Sequence, residues 1–109
     1  MRQTIISKNE VDANGNPTGG RTTGIGFDIN WQNGPLGRDG DRAIPTGAFV
    51  EGILAAALDR LEFFQTASGG KFKCRENALA ITKIEEALHW MDHRTAERER
   101  RKVEGTHVA

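Results

Sequence analysis

Hydrophobic residues follow two periods along this chain, and the switch between them divides it. In "GIGFDINWQ", Ile25, Phe27, Ile29 and Trp31 alternate with Gly24, Gly26, Asp28 and Asn30. A period of two puts one set on each side of a strand, so the segment predicts a strand with one covered face. The β-branched run "TIIS" at 4–7 predicts a second strand, and the turn formers of "NGNPTGG" separate the two. Two strands alone are marginal in water, so this antiparallel ribbon needs a helix or another subunit over it. "NGPLGRDGD" follows as a long turn. From Pro45 the period becomes helical. Thr46 is a candidate N-cap, and Phe49, Ile53, Leu54, Ala57, Leu58, Leu61 and Phe64 share a stripe. "SGG" at 68–70 stops this helix. A second helix is predicted from about Lys73 to beyond Arg98, with Asn77, Ile81, Ile84, Leu88, Met91 and Thr95 at heptad spacing. The fold class expected is α+β: a β-rich part over 1–44, an antiparallel helical hairpin over 45–104 and a short tail over 105–109, all in one domain.

Composition narrows what such a fold can do. The chain has 109 residues, an apolar fraction of 37% and a formal charge of zero. The thin core favours a homo-oligomer. Zero net charge argues against a binder of nucleic acid polymers, which needs many unopposed phosphate contacts. A local cationic site for a small anion stays open. The single cysteine, Cys74, cannot form an internal disulfide. No stretch has the roughly 20 apolar residues of a membrane span and no signal peptide opens the chain, so a soluble, cytoplasmic protein is expected.

The chemistry-bearing residues are few. "GIGFDI" lacks the third glycine of a phosphate-binding fingerprint and runs on as a strand, so its glycines are expected to admit a close backbone instead. His89 and His93 share a helix face, yet neither a glutamate after the first nor a third ligand completes a metal site. No catalytic set, metal site or cofactor is expected. "HRTAERERRK" at 93–102 holds the densest positive charge. Arg100, Arg101 and Lys102 read as a solvated helix end, favourable to the helix dipole. Arg94 and Arg98 repel each other mildly at i, i+4 and continue the face of Ala80, Ile84, Ala87 and Met91, where two guanidiniums suit a bidentate phosphate grip. Asn77, at the other polar end of that seam, either fixes helix register or reads a base or ribose edge. It lies about 25 Å from Arg94 along the helix, too far for one small ligand. Two copies paired antiparallel about an axis near Glu86 bring Asn77 of one to Arg94 and Arg98 of the other, giving two equivalent pockets. Phe63, Phe64 and Phe72 are the available stacking surface.

The blocks "GIGFDINWQNGPLGR", "GAFVEGILAAALDRLEFFQ", "CRENALAITKIEEALHW" and "VEGTH" resemble the phage Thoeris anti-defence protein one family, from about Gly20 to His107. The resemblance implies a non-enzymatic sponge that sequesters cyclic ADP-ribose isomers made by bacterial TIR-domain proteins, acting in the cytoplasm of the infected host. It also implies an N-terminal antiparallel sheet, a C-terminal helical hairpin, pockets at a dimer interface and hexamers in some members. A second site type for cyclic di- or trinucleotides is shared with the related phage anti-CBASS protein two. Carried over by position, the pocket asparagine is Asn77, the pocket arginines are Arg94 and Arg98, and the stacking aromatic is Phe64, with Phe63 the alternative. Gly34, Pro35, Leu36 and Arg38 of "GPLGR" are the weaker match to the second site, with a plain tight turn as the other reading. Two other functions stay open: a hydrolase of cyclic nucleotides, and a helical-hairpin oligomer without ligand.

Overall fold

The computed structural model describes residues 4–109, in the order β1 (Ile5–Val11), β2 (Pro17–Gly24), β3 (Phe27–Trp31), α1 (Val50–Gly70) and α2 (Arg75–Arg100), with a short 3-10 turn at Asp39–Asp41. An N-terminal antiparallel sheet followed by a helical hairpin is the α+β arrangement expected. By compactness the chain divides into two units. One comprises the described residues up to Phe49 together with Arg98–Ala109; the other is Val50–Glu97.

The sheet has three strands in the order β1-β2-β3, one more than the hydrophobic pattern predicts. The additional strand, "PTGGRTTG", has no apolar alternation, and its central place supplies what its sequence lacks. It pairs on one side with β1 (Ser7 opposite Thr22) and on the other with β3 (Thr22 opposite Ile29), so both rows of its backbone groups are satisfied. Thr22 is buried at the centre of the sheet. Its hydroxyl meets the Ser7 hydroxyl at 2.8 Å and accepts from Trp31 Nε1 at 2.8 Å, tying all three strands together. A register shift between Asn9 and Val11 marks a bulge, and Gly20 opposite it brings its Cα against the Lys8 carbonyl where no side chain fits.

The β2–β3 turn corrects one expectation. Ile25 lies at the hairpin tip, 97% exposed, and Gly26 beside it takes φ +84°. The alternating face therefore begins at Phe27, whose exposed ring lies over Gly24, and only Ile29 and Trp31 are half-buried. Nor does Thr46 cap α1, which starts at Val50. The Thr46 hydroxyl accepts from the Asn33 amide, while Gln32 Oε1 accepts from the amides of Thr46 at 2.7 Å and Gly47 at 3.2 Å. Ala48 then bonds the edge of β3 in parallel, covering backbone groups that would otherwise be open.

In the helical unit, α1 is regular up to Thr66. Ala67, Ser68 and Gly69 leave helical geometry, the last two with positive φ, where "SGG" predicts the stop. The two helix ends are joined by one side chain. Gln65 Oε1 accepts from the Cys74 amide at 3.0 Å and Gln65 Nε2 donates to the Cys74 carbonyl at 3.1 Å. Half-buried positions run along α1 at Leu54, Leu58, Leu61 and Gln65, with Ile53, Ala57 and Phe64 exposed beside them. On α2 they are Asn77, Ala80, Ile81, Ile84, Ala87, Leu88 and Met91, following the heptad seam, although Thr95 at its end is exposed. No hydrophobic side chain among the described residues is fully buried.

Candidate ligand-binding site

Four of the expected site residues lie in the helical unit. Asn77 stands in the first turn of α2, its amide reaching Cys74 Sγ at 3.4 Å, so the thiol serves as the helix cap. Its side chain is half-buried. Arg94 is exposed one turn before Arg98. Among the described residues, no hydrogen bond or ion pair engages the Asn77 side chain or the Arg94 guanidinium. Both are therefore uncommitted polar groups at opposite ends of one unbroken helix. Phe63 and Phe64 are 50% and 37% exposed on α1, with ring centroids 5.8 Å apart and planes tilted by 60°. The sequence reading passed over Arg60, whose guanidinium lies 5.0 Å from the Phe63 centroid and 4.8 Å from that of Phe64. The i, i+3 and i, i+4 spacing of "RLEFF" already contained that contact.

Arg98 has a different place from its neighbour one turn back. It is one of only two buried polar side chains among the described residues, 9% exposed. Nη1 donates to the Val108 carbonyl at 2.6 Å; Nη2 donates to the carbonyls of Val103 and Thr106, each at 3.1 Å. The tail thus wraps the guanidinium. It can do so because α2 ends in a Schellman turn, with the Val103 amide on the Arg98 carbonyl at 3.0 Å, the Lys102 amide on that of Glu99 at 2.9 Å, and Lys102 at φ +59°.

The "GPLGR" loop meets that tail inside the same unit. The Gly37 amide bonds the Gly105 carbonyl at 2.8 Å, and the two glycines approach too closely for a side chain on Gly105. Gly34 faces the His107 ring, and Pro35 and Leu36 are half-buried. Arg38 donates to the Glu104 carbonyl at 2.9 Å and pairs with Glu99 at 3.2 Å. Arg42, which the sequence reading did not single out, pairs with Glu104 at 2.9 Å. The hydrogen bond from Arg42 holds the Glu104 carboxyl below its ordinary range and raises the Arg42 pKa in turn. Any anion reaching Arg38 competes with these acids.

Other candidates are not drawn into a site. His89 and His93 each set a ring edge-on to Trp90, with centroids 5.6 and 5.7 Å away. Among the described residues no three His, Cys, Asp or Glu side chains are grouped to hold a metal ion, and no helix is long and apolar enough to cross a membrane. A shallow groove of about 320 Å³ on the sheet, between Thr18, Asn30, Trp31 and Thr46, includes none of the expected site residues.

Residues 23–96, from the end of the sheet's second strand to within α2 just past Arg94, match the sequence signature described as the Acb2/Tad1 hairpin domain. The chain belongs to the Acb2/Tad1 hairpin family. It is also similar to the Thoeris anti-defense 1 protein of Bacillus phage SBSphiJ7, 49% identical over 79 residues that make up 72% of this chain. Those residues are 51% of the phage protein, so the chain spans about half the length of the curated relative it matches. The match to the Acb2/Tad1 hairpin covers Asn77, Arg94 and the phenylalanine pair and ends before Arg98 and the tail that holds it.

Proposed function

We propose that this protein is a phage anti-defence sponge that binds cyclic ADP-ribose isomers in the cytoplasm of the infected bacterium and sequesters them without cleavage. The observation that carries the reading is the pair of uncommitted polar groups, Asn77 and Arg94, at the two ends of α2 in a member of the Acb2/Tad1 family. Because about 25 Å of helix separates them, the pocket forms between two copies of the chain, Asn77 from one and Arg94 from the other. The half-buried seam of Ile81, Ile84, Leu88 and Met91 supplies the apolar surface that such pairing covers. Arg94 grips phosphate, Asn77 reads the base or ribose edge, and Phe64, with Phe63 beside it, stacks on the base. Arg98 adds positive charge while its hydrogen bonds stay on the tail.

The magnitudes suit sequestration. Competing with a sensor requires roughly nanomolar affinity, about −12 kcal/mol. Hydrogen bonds to charged groups give about 1.5–3 kcal/mol each and base stacking about 1–3 kcal/mol. Two isolated arginines fall short of that sum, whereas an enclosed pocket with a ring platform and a preformed partner approaches it.

The test is release. The protein is saturated with a cyclic ADP-ribose isomer, freed of unbound ligand and heat-denatured. Intact ligand in the supernatant is the expected result; linear ADP-ribose makes the protein a hydrolase instead. Arg94→Ala should weaken binding by about 10- to 100-fold with the oligomer unchanged in sedimentation. Undiminished binding by that variant removes Arg94 from the pocket.

A further inference from the structure

We propose that Arg60 is a specificity-determining residue of the same site, covering the phenylalanine platform when it is empty and turning onto the ligand's phosphates when a base arrives. The inference rests on the sponge reading above. Its starting point is geometry within α1: one guanidinium centred 5.0 and 4.8 Å from two ring centroids, on the exposed side of the helix. Arg60 has no carboxylate partner among the described residues, so the rings are its only specific contact.

A base that stacks on Phe64 from the side of Arg60 takes the ring face that the cation now occupies. A neutral nucleoside therefore displaces a cation–π contact and returns nothing to Arg60. A nucleotide with a pyrophosphate offers the displaced guanidinium a fork-shaped acceptor within side-chain reach, and a charge-assisted pair replaces the lost contact. One residue thus acts with opposite sign on two ligand classes. It penalises an uncharged aromatic and rewards an anionic one, which is discrimination by a built-in competitor as well as by attraction.

The opposite signs make the test. Wild type and Arg60→Ala are titrated with a cyclic ADP-ribose isomer by calorimetry and with adenosine by NMR, following the Phe63 and Phe64 ring protons. Arg60→Ala should bind the cyclic nucleotide about tenfold more weakly and adenosine about two- to fivefold more tightly. In the wild type, the ring-shifted Arg60 side-chain resonances should move away from their shielded positions on saturation with the cyclic nucleotide and stay shielded without it. Equal loss for both ligands would make Arg60 a structural residue of α1 and overturn the proposal, as would unchanged affinity for the cyclic nucleotide. Wild-type protein that binds no cyclic ADP-ribose isomer overturns the sponge reading and the role of Arg60 with it; wild-type binding with an indifferent Arg60 overturns the latter alone.

Discussion

Arg94 and Arg98 stand one helical turn apart on α2, yet they belong to different kinds of region. Around Arg98, the sheet and tail use their polar groups internally. Thr22 ties three strands, Gln32 holds the segment after the loop, and Arg38, Arg42 and Arg98 are all engaged by acids or carbonyls. In the helical unit, the Asn77 side chain and the Arg94 guanidinium have no partner among the described residues, and the Arg60 guanidinium rests on the exposed rings of Phe63 and Phe64. In the first region the arginines already have acceptors; in the second, Arg94 and Asn77 do not. Basic charge alone therefore says little about a binding site; what separates scaffold from site is whether each donor already has its acceptor.

The largest effect expected from breaking this contrast comes from Arg98. Arg98→Met removes a buried guanidinium and its hydrogen bonds to the carbonyls of Val103, Thr106 and Val108, and should cost about 1–3 kcal/mol, read as a lower midpoint in urea. The tail amides should lose exchange protection first. Next is the Arg42–Glu104 pair. The folded-state pKa of Glu104 is depressed, so the stabilisation it gives is present above the ordinary glutamate value and is lost as pH falls through the folded one. Hydrogen exchange at Val103 and Thr106 should accelerate from the ordinary carboxylate range downward. Glu104→Gln should remove that acid dependence, at a cost of about 0.5–1 kcal/mol because the pair is partly exposed. Lys102→Gly works in the opposite direction. A left-handed position at the end of α2 favours glycine, and thermal unfolding should rise by the equivalent of about 0.5–1 kcal/mol. The smallest shift is the sharpest test: Arg94→Ala should move the ligand-free unfolding midpoint by less than about 0.5 kcal/mol. A loss comparable with that of Arg98→Met would erase the contrast between the two regions.

How much of this was readable beforehand depends on how local each signal is. The two helices and their stop at "SGG" follow from period and glycine placement, which act over a few residues. The strand at 17–24 was illegible because its glycines and threonines carry no alternation, and it is stable only between two partners. Ile25 fits the alternating pattern and is nonetheless a turn residue, since period alone cannot show where a strand ends. In the candidate site, Asn77 and Arg94 stand out as polar residues near the two ends of the α2 seam. Arg98 looked equivalent to Arg94 because nothing in "HRTAERERRK" tells of carbonyls supplied by a tail that has yet to fold back. The partnership of Arg38 with Glu99 is likewise invisible, since the two are 61 positions apart.

That last separation bears on how the protein is made. The unit containing the sheet includes both the early part of the chain and its final residues, with the helical segment between. On a ribosome the strands can pair as soon as they emerge, but Arg38 and Arg42 wait for acids translated about 60 residues later. Closing so long an excursion costs little more than closing a shorter one, since the entropy of closure grows only with the logarithm of length. Until Glu99 and Glu104 have been made, the loop carrying Arg38 and Arg42 stays unlatched, so the sheet unit is completed only after the helical segment has been synthesised.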